Sequence, residues 1–326
     1  VVYTVDERIE IDHGRPPGED WSLKAHIRDR FRHGSDWPGG CTAVICRIEG
    51  KRILYTLDMN GSRIGVYRFD GEIAVPCAVF TATGTWKNSP SGRAMWRDLD
   101  NDQQVDAEEW ALLGSKRDGI LGCPDSSGNL WIAGWGARIR MLPCAGLDEH
   151  GSPRYHAEAE REFPAPAPFA NVDRVKYIPE TDTLYLSGNT ADKPRLFGED
   201  KQFITGGRVI GRVDHFLNGT ATLRWIVDTP RYDERHDMKS FDVAGDLLFT
   251  VERQTSRVDV FDAASGVHVQ HLVPGPELGP IADHVWVDIP YAIRAHQRKN
   301  GDYLLVMEDD VYGKNILWRI SARRSP

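Results

Sequence analysis

Short runs of alternating apolar and polar residues, separated by turns rich in Gly, Asn and Asp, follow one another along most of the chain. This pattern predicts antiparallel β-strands joined by tight hairpins. The first such group forms a unit of four strands, predicted at Thr42 to Ile48, Arg52 to Leu57, Ile64 to Phe69 and Ile73 to Phe80.

The four-strand unit recurs, in residues 119–163, 172–228, 238–272 and 292–320. Repeated four-stranded units are typical of a β-propeller. We therefore predict an all-β propeller that spans residues 1–326 as a single domain. It has five blades, or six if residues 12–40 form a degenerate one. A two-sheet sandwich with a second domain is the alternative, which the regular recurrence disfavours.

The two ends of the chain suggest how the ring closes. The fifth unit has only three strands, and the alternating run Val1 to Ile11 belongs to no unit. Pairing this run with the last unit would complete a blade and remove an exposed edge strand. We expect almost no helix, except after the acidic segment described next and at Trp21 to Phe31.

One acidic segment, residues 98–109, has a spacing that specifies chemistry. Ca²⁺ takes about six to eight oxygen ligands, which calcium loops supply from alternating carboxylates, a backbone carbonyl and a final Glu. The segment therefore predicts a Ca²⁺ site within residues 81–118, an insertion between the first two blades. The predicted ligands are Asp98, Asp100, Asp102, Gln104 through its carbonyl, Asp106 and Glu109.

This segment resembles the calcium loops of EF-hand and dockerin proteins. The resemblance implies a short helix after the loop, over Asp106 to Leu113. The sequence departs from the family pattern at the sixth position, where Gln103 replaces Gly. A non-glycine residue with positive φ costs about 1 kcal/mol. A solvated acidic turn is the alternative, and a structural ion is favoured over a catalytic one because a complete acidic cage leaves no open coordination position.

The blade sequences resemble NHL-type and gluconolactonase-like propellers. The phrase Val243-Ala-Gly-Asp-Leu-Leu-Phe-Thr-Val-Glu, followed by Val258-Asp-Val-Phe-Asp, carries this resemblance, which covers Thr42 to Ile320 as an architecture. The resemblance implies a fold and not an activity. The gluconolactonase-like family holds a divalent metal with Glu, Asn and Asp, and this chain matches that set only in part, at Asn171, Asp173 and Asp118.

A second group of candidates lies at the predicted starts of inner strands. His236 and Tyr291 are predicted catalytic bases, and Arg294 is predicted to neutralise a substrate carboxylate, as β-elimination from a uronate polysaccharide requires. The same set suits plain carbohydrate binding. The predicted ligand-binding residues are Asn171, Asp173, Arg174 and Lys239, and the predicted stacking platforms are Trp37, Trp86, Trp96, Trp110 and Trp135.

Two functional hypotheses follow. The first is a calcium-stabilised binding or interaction module for carbohydrate or another small ligand. The second is a propeller-type polysaccharide lyase or hydrolase that acts through His236, Tyr291 and Arg294. Whether the protein is an enzyme stays open at this stage.

The composition of the chain argues against some classes of partner. The formal net charge is -8 over 326 residues, which argues against a nucleic-acid partner. No apolar run approaches the roughly 20 residues of a membrane helix, so membrane insertion is not expected. Cys123 and Cys144 are candidates for a disulfide. Val1 in place of Met indicates a processed or excised piece, which leaves room for neighbouring domains. A calcium loop suits an extracellular or periplasmic location, where calcium is millimolar.

Overall fold

The computed structural model describes most of the chain. The described residues are 1–3, 7–16, 18–26, 41–58, 63–82, 86–114, 121–133, 136–195, 206–229, 238–276, 287, 291–309 and 314–321. Strands dominate this part of the chain, and its helices are three single 3₁₀ turns at Ala107–Glu109, Ala157–Ala159 and Pro179–Thr181. The fold is a five-bladed β-propeller, as the repeated units predicted.

A small antiparallel sheet precedes the blades. Its strands are Val2–Tyr3 (β1), Glu7–Ile11 (β2) and Trp21–His26 (β3), in the order β1-β2-β3. The first blade follows as a six-stranded sheet in sequential order. Its strands are Thr42–Ile48 (β4), Lys51–Leu57 (β5), Arg63–Asp70 (β6), Ile73–Thr81 (β7), Arg93–Arg97 (β8) and Trp110–Gly114 (β9).

The other four blades match the predicted units. The second consists of Leu121–Pro124 (β10), Leu130–Ala133 (β11), Arg138–Leu142 (β12) and, after the hairpin Cys144–Leu147 (β13) and Pro153–Tyr155 (β14), Arg161–Pro164 (β15). The third consists of Phe169–Ile178 (β16), Thr183–Thr190 (β17), Val209–Asp214 (β18) and Thr222–Asp228 (β19). The fourth consists of Met238–Ala244 (β20), Leu247–Glu252 (β21), Val258–Asp262 (β22) and His268–Leu272 (β23), and the fifth of Ile293–Gln297 (β24), Tyr303–Asp309 (β25) and Lys314–Ile320 (β26).

The chain divides into two compact units. Unit 1 comprises Val1–Ile132 and Arg140–Glu162, and unit 2 comprises Ala133–Ile139 and Phe163–Pro326. A buried cluster that includes Leu54, Tyr67 and Trp96 fills the first blade in unit 1. In unit 2 the alternating apolar residues of β21 and β22 pack against β24 and β25, because a period of two places them all on one face of each strand.

In the described residues, the N-terminal run forms a sheet of its own with β3, and the ring closure expected from it stays a prediction. Strand β2 pairs with β1 on one side and with β3 on the other, so both of its edges are used in its own sheet. Its hairpin with β3 is closed by a short turn in which the Asp12 amide donates to the Asp20 carbonyl at 2.6 Å. Closing a short loop costs less chain entropy than a pairing between the two ends of the chain.

Three expectations about local structure need correction. Trp21 begins a strand rather than a helix. The helix expected over Asp106 to Leu113 is reduced to one 3₁₀ turn, and the strand β9 takes its place. Cys123 and Cys144 form no disulfide, and their thiols instead donate to the Pro124 and Gly146 carbonyls, each at 3.6 Å. Of residues 12–40, where a sixth blade was considered, residues 17 and 27–40 lie outside the described residues.

In the described part of the chain, no helix has both the length and the apolar character that crossing a membrane requires.

Candidate metal site

The acidic loop, residues 98–109, is the connection between β8 and β9. Trp96 of β8 pairs with Trp110 of β9 directly beside the loop. The hairpin is fixed at its other end by Arg93, which is 2% exposed, donates to the Leu113 carbonyl at 3.3 Å and forms an ion pair with Glu160. A strand pair that continues the first blade therefore holds both ends of the loop, in unit 1.

Three carboxylates of the loop converge. Candidate ligand oxygens of Asp98, Asp100 and Asp102 all lie within 4.8 Å of one another, and this is the one such group of acidic, Cys or His side chains found in the described residues. Each carboxylate also accepts a later backbone amide, Asp98 from Gln103 at 3.3 Å, Asp100 from Asp102 at 3.1 Å and Asp102 from Gln104 at 2.6 Å. These bonds coil the loop around its own carboxylates.

The backbone turns sharply at two non-glycine residues. Asn101 and Gln103 both have φ of 65°, a conformation that glycine adopts readily and other residues adopt at a cost. Arg68 stabilises the first of these turns by donating to the Asn101 side-chain oxygen at 2.6 Å. Gln103 therefore has the positive φ that the calcium-loop pattern requires at its sixth position.

Asp98 is the buried member of the group, with 3% of its surface exposed. Its Oδ2 atom is buried and accepts no hydrogen bond from the described residues. Burial raises the pKa of the Asp98 carboxyl, the Gln103 amide lowers it, and the negative charges of Glu109, Asp100 and Asp102 raise it again. A cation at this place would relieve that repulsion and provide a partner for Oδ2.

The last predicted ligands are arranged differently. Glu109 is 9% exposed, and both of its oxygens accept hydrogen bonds, Oε2 from Trp96 Nε1 at 2.7 Å and Oε1 from the Leu99 amide at 2.6 Å. Asp106 is exposed and precedes the 3₁₀ turn without capping it through its side chain. The structure thus brings three predicted ligands together and ties Glu109 to the adjacent strand.

In unit 2, Asp173 lies at a second buried polar cluster. It is 0% exposed and accepts from the side-chain amides of Asn171 at 3.0 Å and Asn189 at 3.1 Å, and it forms an ion pair with Arg195. Burial raises the pKa of Asp173 to about 6, against the lowering effect of Arg195 and Arg174. The chain thus supplies hydrogen-bond and charge partners for this carboxylate, although burial outweighs them in its pKa.

A close backbone approach makes this second cluster possible. A Cβ at Gly188 would lie 2.0 Å from the Asn171 carbonyl oxygen, so only glycine lets β17 run against β16 here. The register of that pair shifts between Val172 and Arg174, at Asp173 itself. Sequence reasoning found Asn171 and Asp173 but missed Asn189 and Arg195, since neither has a local motif.

The predicted catalytic set is described only in part. His236 lies outside the described residues, as does Asp118. Tyr291 is 4% exposed, and the Arg294 guanidinium lies 5.6 Å from the centroid of its ring. Lys239 is also buried, at 1% exposure. The described members pack within the fold of unit 2, where Tyr291 and Arg294 lie next to each other.

The tryptophans that the sequence offered as stacking platforms are largely internal. Trp86 is 5% and Trp96 0% exposed, and the Trp86 ring lies edge-on to Trp110 with their centroids 6.0 Å apart. Trp37 and Trp135 lie outside the described residues. Buried indoles of this kind stabilise the blade and do not present a flat face to a ligand.

These observations define a five-bladed β-propeller with an acidic loop on an added hairpin. No family model matches the sequence, and no curated protein matches it. Among solved structures, the chain is similar to the β-propeller domain of Cps50 (Swd1) from Myceliophteria thermophila, with 9% identity, coverage of 98% of this chain and 99% of that one, and a TM-score of 0.51. It is also similar to Raptor from Chaetomium thermophilum, with 12% identity, coverage of 100% of this chain and 29% of that one, and a TM-score of 0.51. At this identity the similarity establishes the fold alone.

Proposed function

We propose that this chain is a calcium-binding β-propeller that serves as a binding or interaction module, with one Ca²⁺ held by the acidic loop. The observation that carries the proposal is Asp98, a buried carboxylate directly beside Asp100 and Asp102. One of its oxygens accepts no hydrogen bond from the described part of the chain. Buried charges are ordinarily paired or bound to a metal. The acidic neighbours of Asp98 cannot pair with it, and a cation can.

The donor set favours a hard cation. The converging ligand atoms are carboxylate oxygens, and Ca²⁺, Mg²⁺ and Mn²⁺ prefer such oxygens over nitrogen or sulfur. Ca²⁺ is favoured among these ions because it accepts irregular coordination, whereas Mg²⁺ demands a nearly ideal octahedron. Two of the three carboxylates are exposed, which suits a weak calcium site with a dissociation constant of about a millimolar. We accordingly place the protein outside the cell or in a periplasm.

The ion would act on a defined part of the structure. Residues 98–109 join β8 to β9, and Trp96 beside the loop belongs to the buried cluster of the first blade. Neutralising the loop would therefore stabilise the added hairpin and fix the exposed surface around Leu99 as a ligand-binding site. The lyase or hydrolase alternative stays a prediction, since His236 lies outside the described residues.

Isothermal calorimetry of chelator-treated protein tests the proposal. Wild-type protein is titrated with CaCl₂ and, separately, with MgCl₂. We expect one calcium site per chain and weaker magnesium binding. Asp98→Asn keeps the shape of the side chain and removes its charge, so calcium affinity should fall by about 100-fold, because affinity follows the charge of the ligand set.

Glu108→Gln is the matched control. Glu108 lies in the same loop, is exposed and is not a predicted ligand, so this variant makes the same change in net charge at a neighbouring position. We expect its calcium affinity to stay within about twofold of wild type, since exposed charges contribute little. An equal loss of calcium affinity in both variants would show a general attraction of calcium to the acidic loop. A wild-type protein that releases or absorbs no heat on titration with calcium would reject the proposal.

A further inference from the structure

Two cationic side chains and a histidine lie where β24 turns into β25, in the fifth blade. His296 belongs to β24, and Arg298 and Lys299 follow that strand directly. Within the described residues, these three side chains form no ion pair and no hydrogen bond. Other cations of unit 2 pair with aspartates, for example Lys193, Arg212, Arg224, Arg257 and Arg319.

The backbone of the turn holds these side chains in place. The Arg298 amide donates to the Asp302 carbonyl at 2.7 Å, and the Gly301 amide donates to the Arg298 carbonyl at 2.9 Å. Gly301 has a φ of 88°, which glycine adopts without strain. Residues two apart on an extended strand face the same side, so His296 and Arg298 lie on one face. Arg298 is half-buried, which restricts its side chain further.

The acidic residue of this turn already has partners of its own. Asp302 is 7% exposed, and its Oδ2 accepts from Arg319 Nη2 at 3.0 Å and from Asn300 Nδ2 at 3.1 Å. Another acidic residue, Asp246 of the fourth blade, donates its amide to the Tyr303 hydroxyl at 3.4 Å. Tyr303 follows Asp302 in β25 and so faces the opposite side of the sheet. The charges of Arg298 and Lys299 are therefore not offset at the turn.

The side chains of the turn line an open cleft of about 370 Å³, formed by His296, Arg298, Lys299 and Asn300. This volume admits side chains of a partner and not only a water or a small ion. The Arg298 guanidinium can bind a carboxylate through two parallel hydrogen bonds, and Lys299 can bind a second one. His296 can donate one hydrogen bond in either protonation state.

Charge selects the class of partner. The chain as a whole has a formal net charge of -8, so a negatively charged partner is repelled from most of its surface and attracted to this turn. The positive charges are spread along the turn, which suits several carboxylates better than one ion. We infer that residues 296–300 bind an acidic segment of a partner protein, with one carboxylate on Arg298 and another beside Lys299. This site is in unit 2 and does not depend on the calcium site.

Fluorescence polarisation with a labelled peptide that contains four consecutive Glu residues tests the inference. The buffer contains a chelator, so that calcium cannot bridge the peptide to the acidic loop. We expect the wild-type protein to bind this peptide, more weakly as salt is added, and not to bind the same peptide with Gln in place of Glu. Arg298→Gln should lower the affinity by about tenfold, because charge-assisted hydrogen bonds are lost. Lys299→Gln, at an exposed turn position that the fold tolerates, should lower it by about threefold.

Arg224→Gln is the matched control. It makes the same change in net charge within unit 2, and its side chain is 60% exposed, so the affinity should stay within about twofold of wild type. Equal losses in Arg224→Gln and Arg298→Gln, or equal binding of the Gln peptide, would overturn the inference.

Three further outcomes would also overturn it. Wild-type protein that does not bind the Glu peptide at low salt contradicts the site. Binding that appears only when calcium is added assigns the peptide to the calcium site, which then stands while this inference fails. A phosphoserine peptide that binds far more tightly than the Glu peptide, and that inorganic phosphate displaces, replaces carboxylates by phosphate as the chemistry recognised. Thermal melts of Lys299→Gln establish that the loss of binding is not a loss of folding.

Discussion

Asp98 and Asp173 are both buried aspartates, and they have opposite surroundings. Asp173 accepts hydrogen bonds from two asparagine amides and is paired with Arg195. Asp98 accepts one backbone amide, has one oxygen without a hydrogen-bond partner, and lies beside further carboxylates. The same residue type is thus compensated by the chain in unit 2 and surrounded by like charge in unit 1.

This difference separates a structural residue from a candidate ligand. A buried carboxylate that the fold compensates contributes to one fixed arrangement and needs nothing from solution. A buried carboxylate among like charges is stable only when it is protonated or when a cation binds. Burial alone therefore does not identify a site, and the distribution of partners does.

The largest expected effect is at the compensated residue. Arg195→Met keeps most of the side-chain volume and leaves the buried Asp173 without its ion-pair partner. We expect a loss of about 3–5 kcal/mol in the free energy of unfolding, the usual cost of breaking a buried pair on one side. Urea denaturation measures it, with and without calcium, and the loss should be the same in both.

Arg224→Met is the control for that change. Arg224 pairs with Asp214 at 3.2 Å, but its side chain is 60% exposed, so the loss should stay below about 1 kcal/mol. Comparable losses in the two variants would contradict the distinction between compensated burial and surface pairing.

The pH dependence of stability is the next largest effect. The pKa of Asp173 is raised to about 6 in the folded chain, whereas an unfolded Asp titrates near 3.9. The native state therefore binds more protons between these values, so the free energy of unfolding should fall as pH rises through this window, by on the order of 3 kcal/mol.

Asp173→Asn should flatten that slope, and denaturation at several pH values in the presence of a chelator checks it. Asp98 also has a raised pKa and adds a slope of the same sign. Saturating calcium should remove only the contribution of Asp98 to the pH dependence of the free energy of unfolding, because protons and the ion compete for the same carboxylate. A slope that calcium abolishes completely would be incompatible with the assignment to Asp173.

Glu109→Gln should have a smaller effect. The side-chain NH₂ of a Gln at this place faces either the Trp96 indole N–H or the Leu99 amide, so one of the two hydrogen bonds of Glu109 is lost. We expect a loss of about 1–3 kcal/mol in calcium-free protein. Chemical denaturation compares it with Glu108→Gln, which should differ little from wild type.

The smallest effect concerns the turn at Gln103. Its φ is already 65° without an ion, so the strain is present in both the free and the bound state. Gln103→Gly should therefore raise stability by up to about 1 kcal/mol and leave calcium affinity unchanged within about twofold. A large gain in affinity would show that the free loop adopts a different backbone conformation.

Most of the fold could be predicted from the sequence, because blade strands are local patterns. Alternation with a period of two and Gly-containing turns located the four strands of the first unit, and the recurrence gave five blades. The partner of the N-terminal strand could not be read in this way. Pairing of β2 with β3 depends on competition between a local hairpin and a distant edge, and alternation alone does not decide it.

The convergence of carboxylates in the candidate site was predictable from the sequence, and their surroundings were not. The spacing identified Asp98, Asp100 and Asp102. We expected a helix after the loop, and this expectation excluded strand β9 and the β8–β9 hairpin that places Trp96 beside Glu109. Helix propensity favoured a helix at Ala107 to Glu109. The chain makes only one 3₁₀ turn there, because the residues that follow form β9 and pair with β8. The partners of Asp173 come from β17 and from Arg195, which no local motif connects to it.

Thermal melts of Asp98→Asn and Asp173→Asn, each with chelator and with millimolar calcium, test the central claim most directly. With chelator, Asp98→Asn should melt at or above the wild-type temperature, because it removes a charge that has only acidic neighbours. Asp173→Asn should melt below the wild-type temperature, because it leaves the largely buried Arg195 guanidinium without its carboxylate. Calcium should raise the melting temperatures of wild type and Asp173→Asn by the same increment and leave Asp98→Asn unchanged. A wild-type protein that calcium does not stabilise, or an Asp98→Asn variant that gains as much as wild type, would contradict the account.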